Sequence, residues 1–231
     1  MLKPGESFDS LEYKGLGIIQ RAELYRFTSD AVALANYVKA RPTDRVLDLG
    51  SGSGIIGTLI AAKRGASVVG VEIQAELCDM AERSAQINGL LEKLEFLNMR
   101  VQDARDASAD VGKPLPRGGF DAIVSNPPYG KRADAAGISN MSEAIARAEC
   151  EITLGEIVAA AAFFLRFGGR FYTVIKMRRL AEILSLMTAN KIEPKELILI
   201  INAPDKPPDT ALICGIRGGK TGMKTSLRYN F

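Results

Sequence analysis

Apolar and polar positions alternate in blocks along this chain. From residue 45 onward the blocks repeat as short apolar run, turn and helix-period segment. Residues 45–49, 67–71, 94–97 and 120–124 are brief apolar runs bounded by polar or turn residues, the pattern of buried strands. Helices are predicted over 55–63 and over 75–88, the second stopped by Gly89. A long apolar helix over 152–167 ends at Gly168-Gly169, followed by a fifth strand at 170–175 and a helix at 178–189. Two last strands, 197–202 and 211–216, are joined by a Pro-rich link at 204–208 that is short enough for a hairpin. Upstream, residues 15–27 alternate loosely and read as a hairpin. Ser29 or Asp30 then caps a helix through about residue 39, with Ala31, Leu34, Ala35 and Val38 on one face.

This alternation predicts an α/β fold: a doubly wound, seven-stranded sheet with right-handed crossovers, mostly parallel. The last two strands have no helix between them, so the last strand is expected to run antiparallel. No composition shift marks a second domain. The expectation is one domain over 1–231 with an N-terminal extension, 1–40, of hairpin plus helix.

Composition narrows the chemistry. At 231 residues and 47% hydrophobic, the chain can bury a full core. The net charge of +3 permits a nucleic-acid partner without demanding one. Histidine is absent, which removes His triads, His general bases and His-ligated zinc. Cys78, Cys150 and Cys214 are widely separated and have no metal-ligand spacing. A cytoplasmic protein without a metal or a membrane span is expected.

The run Val46-Leu47-Asp48-Leu49-Gly50-Ser51-Gly52-Ser53-Gly54 leaves a strand and opens a helix. Its glycines allow a sharp turn and a close approach to a ligand. The alternation of Gly50, Gly52 and Gly54 resembles motif I of the class I methyltransferases, whose ligand is S-adenosylmethionine. By that resemblance Asp48 sets the turn, and Gly50 and Ser51 lie beside the methionine portion. Glu72, in Val71-Glu72-Ile73, lies roughly 20 positions after Gly50, the spacing of an acid that accepts from ribose hydroxyls. Asp103-Ala104, after the third strand, is where the family places an acid against the cofactor's adenine, with Asp106 and Asp110 as nearby alternatives.

Asn126-Pro127-Pro128-Tyr129 runs off the fourth strand, and ligands in such sheets sit beyond the strands' carboxyl ends. Two prolines stiffen the loop and remove two N–H donors. The Asn126 side-chain oxygen and the Pro127 carbonyl then offer acceptors to an amino group, and Tyr129 offers a flat face for stacking. Holding both hydrogens turns the nitrogen lone pair toward an already activated methyl. Alignment thus replaces a general base.

The chain resembles the amino-methyltransferases with an Asn-Pro-Pro-Tyr loop, a Rossmann-like class I methyltransferase fold. That group covers adenine-N6 enzymes of DNA and RNA and the glutamine methyltransferases of release factors. Tyr25-Arg26-Phe27-Thr28-Ser29-Asp30-Ala31-Val32-Ala33-Leu34-Ala35 is similar to a cofactor-side motif of the bacterial family that methylates N6 of adenine 37 in valine tRNA. The run 168–172, Asp205-Lys206-Pro207 and Gly218-Gly219-Lys220 match it as well. The resemblance implies S-adenosyl-L-methionine as cofactor and the anticodon loop of a tRNA as substrate. It also implies that Thr28 and Asp30 close the methionine end, and that Ile73 and Asn126 join the cofactor site.

Basic residues at Lys131-Arg132, at Lys176, Arg178 and Arg179, and at Arg217, Lys220 and Lys224 are expected on one rim of the sheet, where they would suit folded RNA. Two alternatives remain open: a glutamine methyltransferase acting on a release factor, and a cofactor-binding module without catalysis. The roughly 40 residues before motif I leave little room for the helical domain that release-factor enzymes carry.

Overall fold

The structure is a computed structural model describing residues 2–105, 115–130, 142 and 151–229. Strands β1 (Glu6–Ser10) and β2 (Gly17–Arg21) form an antiparallel hairpin, followed by α1 (Ser29–Tyr37). Then come β3 (Arg45–Leu49), α2 (Ile55–Arg64), β4 (Ser67–Glu72), α3 (Ala75–Ile87), β5 (Leu94–Asn98) and β6 (Phe120–Ser125). The chain continues through α4 (Leu154–Phe164), β7 (Leu165–Lys176), α5 (Leu180–Ala189), β8 (Ile192–Ile201), β9 (Thr210–Arg217) and β10 (Lys224–Tyr229).

The main sheet has the order β10-β8-β9-β7-β6-β3-β4-β5. The expected α/β architecture is present, with eight strands where the sequence suggested seven. Strand β9 runs antiparallel to both β7 and β8, as a connection without a helix requires. The extra strand, β10, adds in parallel to the edge of β8 and is exposed along its whole length. That lack of burial is why no apolar run announced it.

Other boundaries differ as well, among them the start of β8, which begins at Ile192 rather than at residue 197. The helix expected through residue 167 ends at Phe164, and β7 begins at Leu165 and passes through Gly168-Gly169. The pairing with β6 shifts there, between Phe120↔Leu165 and Ala122↔Arg170. A Cβ on Gly169 would stand 2.9 Å from the Arg166 carbonyl and 3.0 Å from that of Asp121. The two glycines thus permit a bulge inside a strand. The N-terminal hairpin also starts earlier than expected, because β2 pairs with β1.

Apolar side chains fill both faces of the sheet. Leu34, Ile56, Ile60 and Ala81 of α1, α2 and α3 cover one face. Ile157, Phe164, Ile183 and Met187 of α4 and α5 cover the other. The hairpin docks on α3 through Ile19, Leu77 and Met80. Polar bonds fix that docking: Asn88 exchanges hydrogen bonds with the Gly17 backbone, and Arg83 bridges Glu6 (2.6 Å) and Asp79 (2.7 Å).

After β3 the chain moves outward to β4 and β5. After β5 it returns to the other side of β3, to β6 and β7. The crevice between the carboxyl ends of β3 and β6 is therefore the topological switch point, where a ligand site is expected.

Candidate active site

The cleft at that switch point has an empty volume of about 920 Å³, open solvent at its mouth included. Gly50, Ser51 and Gly52 form one wall, and Glu72, Ile73 and Gln74 another. Asn126, Pro127 and Pro128 face it from the end of β6. Two sequence motifs far apart along the chain thus meet on one cavity.

The glycine corner has a simple physical origin. Gly50, Gly52 and Gly54 all have positive φ (74°, 56° and 82°), a conformation that side chains disfavour. The N–H groups of Gly50 and Ser51 both donate to the Val71 carbonyl at the end of β4 (2.9 and 3.0 Å). A Cβ at Gly50 or Gly52 would meet no atom within 4 Å, so these positions border the space a ligand would occupy. Gly54 differs: a Cβ there would stand 2.7 Å from the Phe96 ring and 2.9 Å from the Ala81 Cβ. It serves helix–sheet packing.

Glu72 is 5% exposed and ends β4. Its carboxylate accepts from the Gly52 N–H (2.8 Å) and the Gln74 N–H (2.9 Å). Burial raises its pKa, and those two N–H donors oppose the rise. Asp48 is fully buried, and neither of its oxygens has a hydrogen-bond partner among the described residues. Burial, and secondarily the charge of Glu72, push its pKa up to about 8; the Gly57 N–H opposes the rise without reaching hydrogen-bond contact. Asp48 stands behind the corner and does not line the cleft. The Ser51 hydroxyl is likewise buried and unpartnered among the described residues.

At the far end of the cleft the lining residues are Met99, Arg100, Val101 and Gln102. Asp103 is exposed and Ala104 buried in the short 3-10 turn that follows, and neither lines the cleft. Asp106 and Asp110 lie outside the described residues. Sequence reasoning missed Arg100 and Gln102. Arg100 pairs with Glu151 (3.1 Å), and Gln102 donates to the Glu151 carbonyl (3.0 Å). It also missed Tyr25 and Phe27, which line the cleft from the segment before α1. Their place in the Tyr25–Ala35 motif, next to the helix cap, was the available signal.

Thr28 occupies the N-cap of α1 in extended backbone and makes no capping bond; its hydroxyl is buried and unpartnered among the described residues. Asp30 turns away from the cleft toward the Asn126–Tyr129 loop. Its Oδ2 lies 3.2 Å from the Tyr129 hydroxyl and 3.0 Å from Lys176 Nζ. Tyr129 also contacts Asn126 Oδ1 (2.5 Å), and Lys176 Nζ sits 5.3 Å from the centre of the Tyr129 ring. Burial, then the Asp30 charge, hold the Tyr129 phenol well above its ordinary pKa, so it stays neutral.

The expected basic rim is divided. Arg178 is exposed and donates to the Tyr129 carbonyl (3.0 Å). Lys176 is engaged by Asp30 and Thr210. Arg179 is only 4% exposed; it donates to the Pro128 carbonyl (3.2 Å) and pairs with Glu182 (2.7 Å). Its guanidinium braces the loop from within the protein, where no phosphate could reach it. Lys220 follows β9, whose register puts Thr210 beside Lys176 and Ile216 beside Arg170. An antiparallel strand carries its far end to the opposite rim, so Lys220 does not share the edge with Lys176. Lys131 and Arg132 lie outside the described residues.

The Methyltransferase small domain family matches residues 27–190. The chain belongs to this family. It is 24% identical over 187 residues to a tRNA1(Val) (adenine(37)-N6)-methyltransferase of Bacteroides fragilis, covering 80% of this chain and 74% of that one. It is 34% identical over 134 residues to a release factor glutamine methyltransferase of Chlorobaculum tepidum, covering 54% of this chain and 42% of that protein. Its fold matches the crystal structure of a predicted O-methyltransferase of Agrobacterium tumefaciens (TM-score 0.65, 24% identity, 87% and 85% of the two chains). Among the described residues there is no cluster of three metal-binding side chains and no helix long and apolar enough to cross a membrane.

Proposed function

We propose that this methyltransferase transfers a methyl group from S-adenosylmethionine to the exocyclic N6 amine of an adenine in RNA, and that adenine 37 of valine tRNA is its substrate. One observation carries the reading. Asn126 and the donor-free Pro127-Pro128 turn stand on the wall of the same cleft that Gly50, Gly52 and Glu72 line.

The residues present fit the cofactor. Open space lies where Cβ atoms at Gly50 and Gly52 would stand, and the buried Glu72 carboxylate suits ribose hydroxyls. Ser51, Ile73 and Asn126 complete that part of the site. Bound S-adenosylmethionine supplies an activated methyl on a sulfonium. Asn126 and the Pro127 carbonyl would accept the two hydrogens of the target amine and turn its lone pair toward that methyl; as the N–C bond forms, the S–C bond breaks to leave S-adenosylhomocysteine, and the surplus N–H proton passes to solvent after transfer. Pro128 keeps the turn rigid, and Tyr129 buttresses Asn126. Tyr25 and Phe27 add apolar surface to the cleft. No histidine is needed, and the chain has none.

The likeness to the Bacteroides tRNA methyltransferase, which extends over 80% of this chain, supports the RNA substrate. Arg178 on the active rim supports a phosphate partner. The Chlorobaculum relative keeps a second reading in view, transfer to a release-factor glutamine, because a planar amide suits the same two acceptors. Labelled cofactor offered in parallel to unmodified tRNA and to release factor separates the two. We expect label in tRNA, recovered as N6-methyladenosine after digestion to nucleosides; label in protein alone would overturn the RNA reading.

A further inference from the structure

Beyond Glu72 the cleft becomes an apolar slot. The Met99 N–H donates to the Glu72 carbonyl (3.1 Å), so the slot adjoins that acid directly. Met99, Val101, Ile152 and Ile157 line it and belong to one apolar cluster. Such a slot suits a flat ring, and a ring that carries an exocyclic amine needs an acceptor at the edge. Asp103, the acid expected for that task, is exposed and does not line the cleft. Gln102 does line it. The Gln102 side-chain nitrogen has two hydrogens and two acceptors: the Glu151 carbonyl at 3.0 Å and Glu156 Oε1 at 3.2 Å. Glu156 stays ionised, because the Thr153 N–H and hydroxyl hold its pKa below the ordinary value. Both partners therefore accept and neither donates. A reversed amide would set oxygen against two oxygens, so the chemistry of the partners decides its orientation. The oxygen end is left over, and it accepts no hydrogen bond among the described residues.

We propose that Gln102 recognises the base of the cofactor: its side-chain oxygen accepts a hydrogen bond from the exocyclic amine of the adenine, the task that the sequence pattern assigned to Asp103. The contacts to Glu151 and Glu156 keep the amide from turning its donors toward the base. They also tie the turn after β5 to the start of α4, where Thr153 and Glu156 cap the helix reciprocally. Two elements thus hold one acceptor in place. A nucleoside with a carbonyl instead of the amine would meet oxygen with oxygen. The proposal rests on the reading that the cleft holds S-adenosylmethionine, and it is independent of which acceptor is methylated.

Calorimetry tests this without turnover. The ligands are S-adenosylhomocysteine and S-inosylhomocysteine, which carries a carbonyl in place of the adenine amine. Wild type is expected to favour the adenosyl compound by about tenfold or more, since a site built around an amine rejects the analogue that lacks it. Gln102→Met keeps the length of the side chain and loses the acceptor. It should weaken S-adenosylhomocysteine binding by about tenfold, leave S-inosylhomocysteine no weaker, and so erase the preference. Equal losses for both ligands would make Gln102 a structural brace of α4 and overturn the proposal. A preference that survives Gln102→Met would overturn it too. Asp103→Ala changes an exposed residue and decides the matter even if Gln102→Met does not fold. The preference should persist in that variant; its loss would hand the role to Asp103 and overturn the proposal. If wild type binds both ligands equally, the proposal fails while the cofactor reading stands. If it binds neither, the reading of the cleft itself falls.

Discussion

Glu72 holds Gly52: a β4 carboxylate oxygen accepts the backbone N–H of the glycine corner at 2.8 Å. The acid expected to bind ribose therefore also shapes the loop that faces it. Glu72→Gln keeps one carbonyl acceptor and loses the charge. Hydrogen bonds to charged groups contribute about 1.5–3 kcal/mol, so affinity for S-adenosylhomocysteine should fall by about tenfold to a hundredfold, as read by calorimetry. An unchanged affinity would remove Glu72 from the cofactor site.

On the proposed reading Asn126 borders the cofactor but does its work on the acceptor, so its loss should largely spare cofactor binding. Asn126→Ala is expected to abolish turnover while cofactor affinity stays within about threefold. A large loss of cofactor binding in the same titration would contradict this division of labour.

Asp48 makes stability depend on pH. Its folded pKa of about 8 stands above the ordinary value of 3.8. Across that window the folded chain holds the proton more tightly than the unfolded chain, so stability falls as pH rises and levels off above it. Asp48→Asn is neutral throughout. Its melting temperature, measured without cofactor, should match wild type near the acid end and exceed it increasingly toward about pH 8. A gap that shrinks with rising pH would show that Asp48 is ionised and paired.

Arg178 and Arg179 are neighbours with opposite fates. The exposed Arg178 should contribute to RNA binding: Arg178→Ala is expected to weaken tRNA binding at low salt and reduce the salt slope by about one. Arg179→Ala removes a buried guanidinium from the Pro128 carbonyl and Glu182. It should lower the melting temperature and turnover, with little change in the salt slope. Equal salt slopes for both variants would contradict the division between surface and interior.

Much of this architecture was readable from residues alone, because buried parallel strands announce themselves as apolar runs and glycines mark the turns between them. The cleft between β3 and β6 followed from the same logic. What the chain order concealed was lateral placement. The reversal of β9 was expected from its helix-free connection, and it alone carries Lys220 to the far rim, which the expectation of a shared basic edge left out of account. Nothing in Arg178-Arg179 tells which guanidinium turns inward. Asp30 looked like a helix cap beside the cofactor, and only packing α1 against β7 brings it to Tyr129. Strand β10 stayed hidden because an edge strand exposed on both faces has no apolar period to detect.

The Ser125 hydroxyl at the end of β6 donates to the Leu49 carbonyl at the end of β3 (2.9 Å), and both groups are buried. Side chain and carbonyl thus weld together the two strand ends from which the glycine corner and the proline turn depart. On the proposed reading, methyl giver and methyl taker are accordingly gripped by one stiff frame. Their separation is inherited from ladder spacing within the sheet, so thermal wandering of the outer loops leaves the reacting distance intact.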